Sequence, residues 1–203
     1  RQRGLDVDIV SPDAELAGYR MVLVPTLPVM PEGFAEKLAA LSCPVLIGPR
    51  SGSKTASFCI PEGLAPGVLK PLMPLTVTRV ESLRDGVAEP ADGFAVTRWR
   101  EDVASDLAPE LADAAGRGVV YRHGPIRYCA IWPDRALLCL LVERMADEAG
   151  VALLDLAHQC CRLGRDYCLL LLDFLEPLSH PGEPPRSLGR ARLPSGMVGL
   201  LAR

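Results

Sequence analysis

Apolar and polar residues alternate from the first residues of the chain. Leu5, Val7 and Ile9 alternate with Asp6 and Asp8. This period of two predicts a strand over Leu5–Val10 whose carboxylates sit at its wet edge. Ser11-Pro12-Asp13 ends it. Tyr19–Val24 is more continuously apolar, as suits a central strand buried on both faces. Pro31 and Glu32 then open a helix, with proline at the first helical position. Its apolar face is Phe34, Leu38 and Leu41, at i, i+4 and i+7. Pro44–Ile47 predicts a short buried strand. Strands and helices that alternate through short connections imply an α/β fold, a mostly parallel sheet with flanking helices.

The pattern loosens from about 60 to 117, where prolines at 61, 66, 71, 74 and 90 interrupt it. Leu75–Leu83 and Phe94–Trp99 predict strands within it. Val119–His123 and Ile126–Ile131, joined by Gly124-Pro125, predict a hairpin. A helix follows from about Asp134 to Ala149. Leu137, Leu138, Leu141, Met145 and Ala149 mark its buried face, Asp134 sits at its positive end and Gly150 stands ready to stop it. Beyond Gly150 the pattern changes to short strand-like runs at Val151–Leu156, Gln159–Leu163 and Tyr167–Phe174, then to a loose Pro/Gly/Arg-rich stretch at Ser179–Arg192. The expected organisation is therefore a first domain over 1–150 and a small β module over 151–203.

Length and composition narrow the classes. The 203 residues are 49% hydrophobic and 23% charged, enough for one real core and an appendage. A net charge of −3 offers no basic surface for nucleic acid, and the apolar runs are too short to cross a bilayer. Seven cysteines, at 43, 59, 129, 139, 160, 161 and 168, include no CxxC pair, so neither a zinc site nor another cofactor is expected. Their placement in apolar runs points to free thiols in a reducing, cytoplasmic compartment. The opening Arg1-Gln2-Arg3-Gly4 has neither an initiator Met nor an apolar leader, which suggests a piece of something longer.

Few residues offer chemistry. Cys43 precedes a strand, whereas a nucleophile elbow follows one, so it reads as packing. Ser51 in Arg-Ser-Gly-Ser would need a base, and His123 is the only histidine in the α/β part. Gly48-Pro49-Arg50-Ser51-Gly52-Ser53-Lys54-Thr55 follows a strand but lacks the Gly-Lys pair of a phosphate loop. Adjacent Cys160 and Cys161 read as two residues of one short strand rather than a redox pair, and Asp6 and Asp8 as wet positions of the Leu5–Val10 strand rather than a metal pair. None of the 25 acidic residues stands in a motif that marks a glycosidase pair.

Several stretches, taken in order, resemble glycoside hydrolase family 42 β-galactosidases. They are 3–12, 16–25, 48–55 with Ile60-Pro61, 77–84, and Trp132-Pro133-Asp134-Arg135-Ala136-Leu137-Leu138 with its helix. The resemblance implies that 1–150 form the flavodoxin-like, class I glutamine amidotransferase-like domain through which such enzymes trimerise. It also implies that 151–203 begin the C-terminal β domain. The activity it implies is hydrolysis of terminal β-D-galactosides, with the galactoside and both catalytic glutamates held by a barrel outside this chain. No catalytic residue is carried over. The partner expected is the chain's own copies in a homotrimer. From its position after a strand, the loop holding Arg50, Ser51 and Lys54 is expected at or near that contact or facing the barrel mouth. Three departures are the reduced helix before the first strand, Cys168–Phe174 in place of the family's Phe and Asn-Tyr strand, and a tail after Glu176 unlike the family's ending. A free-standing amidotransferase-like enzyme, with an activated Cys or Ser, and a pure interaction module are the alternatives.

Overall fold

The computed structural model describes residues 5–153 and 200–202. The elements below belong to one compact unit made of Val7–Ala152 and Gly196–Arg203. In chain order the strands are β1 (Val7–Ile9), β2 (Met21–Val24), β3 (Val45–Ile47), β4 (Leu75–Ser82), β5 (Glu89–Pro90), β6 (Ala95–Val96), β7 (Trp99–Ser105), β8 (Pro109–Ala112), β9 (Gly118–His123), β10 (Ile126–Cys129) and β11 (Leu200–Ala202). Among the described residues the helices are α1 (Phe34–Ala39) and α2 (Arg135–Ala149), with a 3-10 turn at Gly67–Leu69.

Seven strands form the main sheet in the order β1-β11-β2-β3-β10-β9-β8. Only the β2–β3 and β3–β10 ladders are parallel. The other ladders are antiparallel, so the expected mostly parallel sheet is corrected to a mixed one with few helices. Connection length explains this. Parallel pairing needs a long crossover, which α1 supplies between β2 and β3, whereas Gly124-Pro125 and the short 113–117 turn allow only antiparallel neighbours. β4 and β7 form a separate antiparallel ribbon, as do β5 and β6.

The central strands behave as their composition dictates. Every residue of β2, β3 and β10 is buried. On one face Val22, Val24, Val45, Ile47, Ile126 and Tyr128 pack with Phe34 and Leu38 of α1 and with Leu69, Met73, Leu75 and Val77. α2 packs against β2, burying Leu137, Leu141, Met145 and Ala146. Asp134 caps it by accepting the Leu137 N–H at 2.8 Å, and Gly150 ends it in the left-handed region at φ 62°. Leu138 lies off the buried stripe and is exposed.

Four expectations need correction. The first strand shortens to Val7–Ile9, and Ile9 is 58% exposed rather than inward, because an edge strand has cover from one neighbour only. Pro31 precedes α1 instead of starting it. Gly33 is the cap, at φ 75°, and Leu41 packs just past the helix end. Phe94–Trp99 is not one strand, since its residues divide between β6 and the start of β7. Leu200–Ala202, grouped by sequence with the later module, insert as β11 between β1 and β2. The runs expected at Gln159–Leu163, Tyr167–Phe174 and Ser179–Arg192 lie outside the described residues, and Val151–Leu153 carry no strand.

Candidate functional site

The loop after β3 runs beside the segment after β2, and main-chain bonds hold it there. The amides of Gly48, Gly52 and Lys54 donate to the carbonyls of Val24, Leu27 and Pro28 at 2.8–2.9 Å. Those of Ser53 and Thr55 donate to Arg50 and Cys59. Glycine is required at two points. A Cβ on Gly48 would stand 1.8 Å from the Pro25 carbonyl oxygen, and one on Gly52 would stand 2.0 Å from that of Pro66. With these amides turned to the protein itself, the loop cannot form a nest of N–H groups around a phosphate.

Between the glycines, Arg50 adopts φ 66°, a conformation costing a non-glycine residue about 1–2 kcal/mol. Its amide donates to Glu101 Oε1 at 2.8 Å, which offsets that cost. Glu101 comes from β7, whose end is tied to the far side of β10 through Glu101 N–H to Ala130 O at 2.8 Å and Trp132 N–H to Trp99 O at 3.0 Å. The same carboxylate accepts Trp99 Nε1–H at 3.1 Å and Tyr128 O–H at 2.6 Å. Burial pushes the Glu101 carboxyl above the ordinary glutamate value, against the pull of hydrogen bonds from Tyr128, Trp99 and Arg50. Burial and the neighbouring Glu101 push the Tyr128 hydroxyl up as well.

Above this carboxylate lies an open cavity of about 360 Å³. Arg50, Lys54 and Arg79 supply cations to its lining, and Ile60, Leu64 and Val80 supply exposed apolar walls. The Arg50 guanidinium sits 5.0 Å from the centre of the Trp99 ring, and Lys54 Nζ sits 5.6 Å from that of Phe58. Such contacts contribute about 0.5–1 kcal/mol at exposed positions. Arg79 is paired with Glu81. Among the described residues neither Arg50 nor Lys54 forms a salt bridge, although the charge of Arg50 favours the ionised form of the buried Glu101.

The expected contact loop is thus divided. Arg50 and Lys54 line the cavity, whereas Ser51 is fully buried and accepts the Leu27 N–H at 3.1 Å, bracing the loop from inside. His123 directs its Nδ1 to the Leu72 carbonyl oxygen at 2.8 Å, and among the described residues no hydrogen bond joins it to Ser51. Cys43 packs half-buried against the core, and desolvation raises its thiol. Cys129 is pushed up to about 12 by complete burial. Neither is a ready thiolate nucleophile. Among the described residues no group of three His, Cys, Asp or Glu could hold a metal ion, and no helix is long and apolar enough to cross a membrane. Glu101 was missed from sequence because β7 was not read as a strand there. An acidic residue at every second position with Trp99 and Val103 was the available signal.

Fold and site define a mixed α/β module with an open cavity lined by Arg50, Lys54 and Arg79. Residues 1–152 match the family described as the β-galactosidase trimerisation domain, and the chain belongs to that family. It is 46% identical to a β-galactosidase of Thermus thermophilus over 160 residues, which is 77% of this chain and 25% of that protein. It is 31% identical to β-galactosidase Bga of Halorubrum lacusprofundi over 194 residues, 81% of this chain and 27% of that one. Among solved structures, the β-galactosidase from the psychrophilic Marinomonas ef1 superposes with a TM-score of 0.73 at 32% identity, covering 77% of this chain and 24% of its own. The chain therefore spans about a quarter of the length of the curated relatives it matches.

Proposed function

We propose that this chain is the non-catalytic assembly part of a β-galactosidase that cleaves terminal β-D-galactosides by a retaining, two-carboxylate route. The catalytic carboxylates and the sugar pocket would lie on a barrel outside these residues. The observation that carries this reading is the match of residues 1–152 to a trimerisation domain, in a chain covering only a quarter of each β-galactosidase it resembles. The self-partner is a ring of three copies, which joins each subunit's patch to a different patch on its neighbour. An amidotransferase-like origin is supported by the parallel β2–α1–β3 unit. A cytoplasmic setting is supported by the free thiols of Cys43, Cys59, Cys129 and Cys139.

Light scattering on the 203-residue chain across a concentration series, with a nitrophenyl β-galactoside assay alongside, tests this reading. The expected result is a mass about three times the 21.8 kDa of one copy and no hydrolysis. Hydrolysis by the chain alone would overturn the division of labour, and a monomer at every concentration would count against assembly through this part.

A further inference from the structure

The exposed large apolar side chains are not spread evenly. Phe58 at 67%, Ile60 at 65%, Leu64, Val68 and Val80 at 51% come from 58–80, and Ile60, Leu64 and Val80 line the cavity above Glu101. A contiguous apolar surface rimmed by polar groups is the mark of a protein-docking site. The polar rim carries three cations, of which Arg79 is paired with Glu81 while Arg50 and Lys54 form no salt bridge among the described residues. Arg50 is held there in a strained conformation by a buried acid. A carboxylate reaching this rim would meet a guanidinium already fixed over an indole ring.

The same unit carries a surface of opposite character. Asp13, Glu15, Glu32 and Glu36 are all exposed. Lys37, the one lysine in that stretch, gathers the 12–15 turn to α1 by donating to the carbonyls of Pro12 at 2.9 Å and Ala14 at 3.1 Å. The nearby edge strand adds the exposed Ile9. One chain thus offers an apolar patch whose Arg50 and Lys54, and an acidic patch whose Asp13, Glu15 and Glu36, form no salt bridge among the described residues. A closed ring of three requires two such different patches.

We propose that the cavity rimmed by Arg50 and Lys54 is the receiving half of the contact between copies of this chain, and that the acidic surface of Asp13, Glu15 and Glu36 on the next copy occupies it. This rests on the assembly reading above and adds the surface and the partner's chemistry to it. The apolar walls supply burial, and the charges set orientation and exclude wrong pairings.

The test is made on the whole protein that contains this chain, by light scattering at physiological salt, with circular dichroism and unfolding midpoints to confirm folding. Arg50→Glu with Lys54→Glu is expected to lower the mass about threefold, from trimer to monomer. Asp13→Lys with Glu36→Lys is expected to do the same. All four substitutions in one chain are expected to restore the trimer, which no loss of fold could do. Ile60→Asp, at a side chain already exposed, should weaken assembly while leaving the circular dichroism spectrum of the folded chain unchanged. Trp132→Asp, at the apolar hollow beyond Gly48 and Leu138, should leave the mass unchanged. A monomeric parent would remove the assembly reading itself. A trimeric parent whose first double variant stays trimeric would overturn this surface alone. Failure of the fourfold variant to reassemble would overturn the acidic occupant.

Discussion

Arg127 and Tyr128 are neighbours on β10 and face opposite sides of the sheet, and the two sides solve the burial of charge differently. Arg127 is fully buried yet fully ionised. Its Nε meets Glu110 at 2.8 Å, its Nη1 meets Glu148 at 2.9 Å, and Nη2 makes a second contact to Glu148. Arg122 and Arg144 extend the network to the surface through the same two glutamates. Hydrogen bonding from Arg127 holds the Glu148 carboxyl below its ordinary value. On the other face the buried group is acidic, and its partners are uncharged N–H and O–H donors. Desolvation dominates there, and the Glu101 carboxyl moves up. A buried ion answered by ions stays charged. A buried acid answered by neutral donors is driven toward its protonated form.

The largest break in this comparison comes from stripping Arg127 of its counter-charges. Glu110→Ala with Glu148→Ala should cost roughly 3–5 kcal/mol in urea unfolding, because it leaves a buried charge uncompensated. Tyr128→Phe should cost less, about 1–2 kcal/mol, since it removes one hydrogen bond from a buried acceptor. It should also move the Glu101 carboxyl further up. Acid titration of stability then separates the two faces by sign. Glu148, held low, contributes stability above its unfolded value that is lost as pH falls through its folded value. Glu101, held high, contributes stability that is complete below its unfolded value and is lost as pH rises through its folded value. The advantage of wild type over Glu101→Gln should therefore shrink from pH 4 to pH 7, while its advantage over Glu148→Gln should grow across the acid range. An unchanging Glu101→Gln difference would show that the carboxyl is not displaced. The smallest effect is expected for Arg50→Gly, within about 0.5 kcal/mol of wild type. Glycine accepts φ 66° without strain while gaining freedom when unfolded.

The buried strands were readable because their pattern is unambiguous. Met21–Val24 and Val45–Ile47 are runs that only a doubly covered strand would use, and Asp134 with Gly150 brackets α2 at both ends. Where charge interrupts the period, the sequence conceals the structure. Glu101 and Asp102 obscure β7, and Pro109 and Glu110 obscure β8, although both are strands whose charges are met by distant residues. Glu101 depends on Tyr128, 27 residues later, and no local window contains that pairing. The loop after β3 was placed rightly after a parallel strand. Which of its residues turn inward was decided by Leu27 and Pro66, again outside any local pattern.

The two close-packed glycines of that loop have a consequence for encounter between molecules. With the amides of Gly48, Arg50, Gly52, Ser53, Lys54 and Thr55 hydrogen-bonded and its glycines wedged against Pro25 and Pro66, the loop has little backbone freedom left to surrender. Ordering eight mobile residues would cost an association about 1–2 kcal/mol each. Here only the ends of Arg50 and Lys54 remain to be stilled, at about 0.5–1.5 kcal/mol per side chain. The cations are presented on a stiff mount, and whatever they meet arrives at a surface already in its bound shape.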